Sequence, residues 1–146
     1  KDTGGGAASV TAVINSRGGS PALDPAVLES LRNLSSDGGE ALVAKLAQIL
    51  RDDALLRRDQ LRRAFDESNA ALLRSAAHAF KSSSGNMGAR SLAELCRQIE
   101  TQTLGGDIPD SCASLLVELE HEYARVDHNV SQILASAAVA AEENAA

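Results

Sequence analysis

Three histidines are present in this chain, and one of them sits where chemistry can be built on it. Around His78, the residues Leu73, Ala76, Phe80, Ser83 and Met87 recur at intervals of three and four. That spacing predicts a helix whose seam faces a core. His78 is two residues from both Ala76 and Phe80, so it points about 160° to 200° away from them. The imidazole is therefore expected in solvent. Its neighbours on that face are Ala71, Arg74, Ser75, Lys81, Ser82 and Gly85. Four of the six are small, so another protein could approach the ring closely. Gly85 inside a helix costs about 1 kcal/mol relative to Ala, which points to a helix end or a need for space.

An exposed imidazole can act as nucleophile, proton shuttle or metal ligand. A second metal ligand at helical spacing is lacking: Arg74, Lys81 and Ser82 hold those positions, and two are cationic. No metal is expected. A proton shuttle wants a pocket, which a convex helix face does not provide. Nucleophilic attack on a phosphoryl group fits better, because Lys81 one turn along can neutralise phosphoryl oxygens. On geometry alone, an ordinary surface histidine beside ordinary surface charges remains an equal alternative. His121 and His128, seven apart near the C-terminal end, are read as surface residues.

The elements that must position this face are all helical. Asp24 can cap a first helix with Pro25 at its first position, and Val27, Leu28, Leu31 and Leu34 give its apolar stripe. A second helix is expected from about Glu40 to Phe65, with Val43, Leu46, Ile49, Leu50, Leu61, Ala64 and Phe65 on one face. Asp52-Asp53 within it marks either a bend or a solvated stretch. Ser68 or Asn69 caps the third helix, about Ala70 to Asn86. The fourth runs from about Ala89 to Leu104 on Leu92, Leu95, Cys96 and Ile99, and Gly105-Gly106 stop it. A fifth begins at Asp107-Ile108-Pro109, with a stripe from Cys112 to Ile133. No strand-like alternation appears. The expectation is an all-α antiparallel up-down four-helix bundle with a short additional N-terminal helix. Residues 1–21 read as a flexible linker or tag remnant, 22–134 as the bundle, and the Ala-rich 135–146 as frayed or disordered. The start at Lys-Asp-Thr, without Met, reads as a cut from a longer polypeptide.

Length and composition remove other classes. The 146 residues suit one domain. Aromatic residues make up 2%, too few for a β-sandwich core or for stacking bases. A formal net charge of −6 repels phosphate backbones and anionic lipid, so neither nucleic acid nor a membrane surface is an expected partner. No apolar run approaches the roughly 20 residues of a membrane span. Cys96 and Cys112 fall in helical patterns and read as buried thiols of a reducing cytoplasm. One self-sufficient bundle makes a monomer the default.

The stretch from Ala76 to Glu100, AAHAFKSSSGNMGARSLAELCRQIE, resembles the histidine-containing phosphotransfer (HPt) domain of bacterial hybrid sensor kinases and phosphorelays. The match rests on His78, Phe80, Lys81, the small run Ser82 to Gly85, Gly88-Ala89, Leu92, Leu95-Cys96 and Glu100. One position departs from it: many members carry Gly directly after the lysine, where this chain has Ser82. The resemblance implies that His78 accepts a phosphoryl group on Nε2 and that Lys81 screens its charge. It implies that Glu100 accepts a hydrogen bond from Nδ1–H and so holds the nucleophilic tautomer. Gly88 would allow the tight passage between the third and fourth helices.

The implied role is a carrier rather than an autonomous enzyme. A receiver domain bearing an aspartyl phosphate, with its own Mg²⁺, would dock on the third helix and transfer to His78. A second receiver, in a response regulator, would later remove the group. No cofactor is expected in this chain, and no ATP-binding glycine loop is present. The flexible start suggests the C-terminal end of a hybrid sensor kinase, with a free-standing relay protein as the alternative; either places the domain in the cytoplasm, the former tethered to a membrane through its parent. Two other classes stay open: a pseudo-HPt module that binds receivers without carrying phosphate, and a bundle used for assembly.

Overall fold

The computed structural model describes residues 21–145; the expected linker otherwise lies outside the described residues. Five helices follow in order: α1 (Pro25–Arg32), α2 (Glu40–Asp66), α3 (Ala70–Asn86), α4 (Arg90–Gln102) and α5 (Ser111–Ala145). Among the described residues there is no strand. Helix α2 packs on α3, α3 on α4, α4 on α5, and α5 returns to α2. Short connections between helices that are neighbours in space force successive helices to alternate in direction. The result is a closed four-helix bundle, with α1 laid against α2. No helix among the described residues is long and apolar enough to cross a membrane.

The helix ends follow local chemistry. The Asp24 carboxylate accepts the Ala26 N–H at 2.9 Å, with Pro25 at a position where no N–H is required. Asn69, rather than Ser68, caps α3 by accepting the Leu72 N–H at 3.0 Å. Gly88, at φ +78°, turns the chain between α3 and α4.

The core is built from Leu50, Leu61, Leu73, Phe80, Leu92, Ile99, Leu119 and Val126, all buried. Phe80 meets Tyr123 across the bundle, with ring centres 6.3 Å apart and planes tilted by 54°. Cys96 and Cys112 are buried free thiols.

Several expectations shift by one helical position. In α2 the buried stripe is Val43, Ala47, Leu50, Ala54, Leu61 and Ala64, while Ile49 is exposed. Alanines do not register as hydrophobic anchors in a sequence, yet they permit the closest helix approach. In α3 the inward serine is Ser84, not Ser83, because it lies one turn beyond Phe80 and two beyond Ala77. Ser83 instead donates to Asp53 on α2 at 2.7 Å. Asp53 is also held by Arg57 at 3.1 Å, so α2 runs unbroken through Asp52-Asp53. Helix α1 stops at Arg32, which leaves Leu34 exposed beyond it. Helix α5 starts at Ser111, after Pro109, and continues to Ala145. The Ala-rich segment read as frayed is thus helical, and Ala137, Ala140 and Ala141 face Ala41 and Ala44 at the start of α2.

Candidate functional site

Helix α3 carries His78 on the face opposite its buried residues Ala76 and Phe80. The imidazole side chain is 62% exposed. From the neighbouring helix, Glu100 closes in: its Oε2 lies 2.7 Å from His78 Nδ1. Its other oxygen, Oε1, accepts a hydrogen bond from Lys81 Nζ, also at 2.7 Å. One carboxylate on α4 therefore holds two side chains of α3, three residues apart.

The sequence folds this way because α4 buries Leu92, Leu95, Cys96 and Ile99. Glu100 follows Ile99 and lies one turn beyond Cys96, at the edge of that buried stripe, where it is mostly covered but still reaches the seam with α3. Lys81 and Glu100 pair as opposite charges. The Lys81 ammonium, aided by His78, holds the Glu100 carboxyl below the ordinary carboxylate range against partial desolvation. An ionised carboxylate can only accept, so Nδ1 is the donor. In the neutral ring Nε2 then keeps its lone pair, and the ring is open to solvent.

The rest of the expected face divides. Ala71, Ser75, Ser82 and Gly85 are exposed around His78. The Ser75 and Ser82 hydroxyls donate back to the carbonyls of Leu72, at 3.2 Å, and of His78, at 3.4 Å, so they lie low along the helix. A Cβ built on Gly85 would meet nothing within 4 Å. Arg74 differs: half-buried, it donates to the Thr103 carbonyl at the end of α4, at 3.2 Å. It braces α3 against α4 instead of standing free beside the ring.

Gly88 is required by the backbone and by space. Its Cβ would lie 2.9 Å from Val27 Cβ and 3.1 Å from the Asp24 backbone N, in addition to the strain at positive φ. His121 and His128 are exposed on α5, away from any cluster. Among the described residues no group of three or more His, Cys, Asp or Glu could hold a metal ion.

Three contacts were not legible in the sequence. The Lys81–Glu100 pair and the Arg74 brace both cross between helices, where no spacing rule operates. The third is the link from Arg90 Nε to Asp24 at 2.6 Å, which ties α4 to the chain ahead of α1. Asp24 is legible as a cap, and no local pattern signals its pairing with Arg90.

The sequence model of the Hpt domain matches residues 45–129. The chain belongs to the Hpt family. Its fold is also similar to the crystal structure of histidine-containing phosphotransfer protein B (HptB) from Pseudomonas aeruginosa PAO1. The two are 31% identical, with a TM-score of 0.65, over 77% of this chain and 94% of that one. Comparison with curated proteins finds no match. As an Hpt domain, the chain has a general role in a phosphorelay, as a phosphoryl carrier that works with receiver domains.

Proposed function

We propose that His78 accepts a phosphoryl group from the aspartyl phosphate of a receiver domain and passes it to the receiver of a response regulator. The observation that carries this reading is the 2.7 Å contact between Glu100 and Nδ1 on an imidazole that is 62% exposed. The Nε2 lone pair attacks phosphorus in line. An N–P bond forms, the acyl P–O bond breaks, and the aspartate carboxylate leaves with the electron pair. The Nδ1 proton stays against Glu100, which stabilises the ring as positive charge grows on it. Lys81 exchanges its bond to Glu100 for the incoming phosphoryl oxygens. Mg²⁺ belongs to the receiver, and this chain supplies the nucleophile, the local cation and a docking surface. That surface is formed by Ala71, Ser75, Ser82 and Gly85, with Arg74 bracing it from the side. Return of the group to a second receiver reverses the same geometry.

We read the domain as a monomeric, cytoplasmic module, either part of a hybrid sensor kinase or free-standing. The test is to mix the chain with a phosphorylated receiver and follow acid-labile, base-stable phosphate. His78→Gln is expected to abolish the label with helicity unchanged by circular dichroism. Label retained in that variant rules out the site, and receiver binding without label in the wild type identifies a pseudo-Hpt module.

A further inference from the structure

Lys81 has a second neighbourhood. It borders an open hollow of about 570 Å³ whose walls include Val27 of α1, Gly85 of α3, Gly88 of the turn and Arg90 of α4. The hollow thus adjoins the phosphoacceptor face through Lys81, and it extends onto two elements that the α3 motif does not contain. Gly85 leaves the space above it empty, and no contact within the chain requires a glycine there. Gly85 lies in the last turn of α3, and the absence of a side chain there keeps this end of the hollow open.

Arg90 is the cation best presented in this hollow. Its side chain is 72% exposed. Its Nε donates to Asp24 Oδ2 at 2.6 Å, and no hydrogen bond among the described residues uses its two terminal nitrogens. Arg97, nearby, is different: both Nε and Nη2 are spent on Glu94. Asp24 is a fixed anchor. Its Oδ1 accepts the Ala26 N–H, and its own N–H donates to the Gly88 carbonyl at 2.9 Å. The guanidinium is therefore held by one edge with the other edge free, an arrangement whose planar donors match a carboxylate.

We propose that Arg90 binds an acidic side chain of the receiver that docks over His78, and that Asp24 is its positioning residue. This rests on the phosphotransfer reading above. The segment ahead of α1 then acts on partner choice, because it orients a cation that lies off the phosphoacceptor helix.

The test measures transfer from a purified, phosphorylated receiver at varied receiver concentration. In single-turnover labelling, Arg90→Ala is expected to raise the receiver concentration at half-maximal rate (KM here) by about tenfold with the maximal rate unchanged, the loss of one charge-assisted contact. Arg90→Lys recovers only part, since an ammonium lacks the planar fork. Asp24→Asn keeps the Ala26 cap through its amide oxygen and raises KM by about threefold, as the guanidinium loses its charged anchor. Added salt weakens wild-type transfer more than Arg90→Ala transfer. An unchanged KM in Arg90→Ala, with label still forming on His78, overturns the Arg90 assignment alone and leaves a clamp for α1. A lower thermal midpoint with no change in KM likewise reduces Arg90 to a clamp. Absence of label in the wild type sinks both readings.

Discussion

Glu100 Oε2 lies 2.7 Å from His78 Nδ1 across the seam between α3 and α4, while the other oxygen of the same carboxylate holds Lys81. The carboxylate thus fixes the ring and stores the cation that the phosphoryl group would need. Exposed pairs of this kind add little to stability, about 0 to 1 kcal/mol. Their value is in orientation.

Glu100→Ala is expected to slow phosphoryl transfer by about 10- to 100-fold, the worth of one hydrogen bond to a charged group. Glu100→Gln retains an acceptor for Nδ1–H but not the charge, and should fall between that variant and wild type. Single-turnover labelling of His78 measures both. Wild-type rates in Glu100→Ala would remove the residue from the mechanism.

The same carboxyl predicts a pH dependence. Lys81 first, then His78, lower its pKa from the ordinary 4.5. A depressed carboxyl contributes stability that is present above its unfolded value and is lost as pH falls through the lower folded value. The stability gap between wild type and Glu100→Gln should therefore be constant above the ordinary value and close below it. Urea titrations at stepped pH follow the gap. A gap that widens on acidification contradicts the assignment.

Lys81→Ala should slow transfer and leave the fold intact by circular dichroism. It should also raise the Glu100 pKa, because Lys81 is the largest cause of its depression. Carboxyl carbon shifts followed by NMR titration report this directly. An unmoved Glu100 would mean that the pair is not formed in solution.

Gly88→Ala tests the turn that joins the two halves of the site. The new Cβ meets Val27 and Asp24 at 2.9 and 3.1 Å, in a left-handed backbone conformation. A loss of about 2 to 3 kcal/mol is expected from strain and overpacking together. Chemical denaturation measures it, and a loss below about 1 kcal/mol, nearer the ordinary scatter of surface substitutions, would show that the turn yields easily.

Cys96 reports on the core behind the site. Burial pushes its thiol up to about 12, so almost no thiolate exists near neutral pH. Alkylation of Cys96 should follow global unfolding, with a denaturant dependence equal to that of the helical signal. Rapid labelling of the native protein would place the thiol nearer to solvent.

Much of this architecture was written along the chain. The Asp24-Pro25 start, the limits Ala70 and Asn86, and the exposure of His78 depend on caps and on a period of 3.6 residues, which local sequence carries. The resemblance of Ala76 to Glu100 to the HPt pattern implies Glu100 as the partner of His78, and the 2.7 Å contact agrees with it. Periodicity misjudged residues that are small or ambiguous in polarity. Ala47 and Ala54 line the core where Ile49 was expected, and Ser84 turns inward in place of Ser83. The Ala-rich end of α5 continues as helix to Ala145, because alanine is the strongest helix former and needs no apolar stripe to remain helical.

The sequence by itself determined the helices, the outward imidazole and its lysine, because these follow from residue type and angular spacing within one helix. The tertiary structure decided that Glu100 serves His78 and Lys81 together, that Arg74 braces Thr103, and that Asp24 holds Arg90. Each of those contacts joins residues from separate segments. Their meeting depends on how two segments settle against each other as the core closes, and side-chain packing across the seam sets that arrangement.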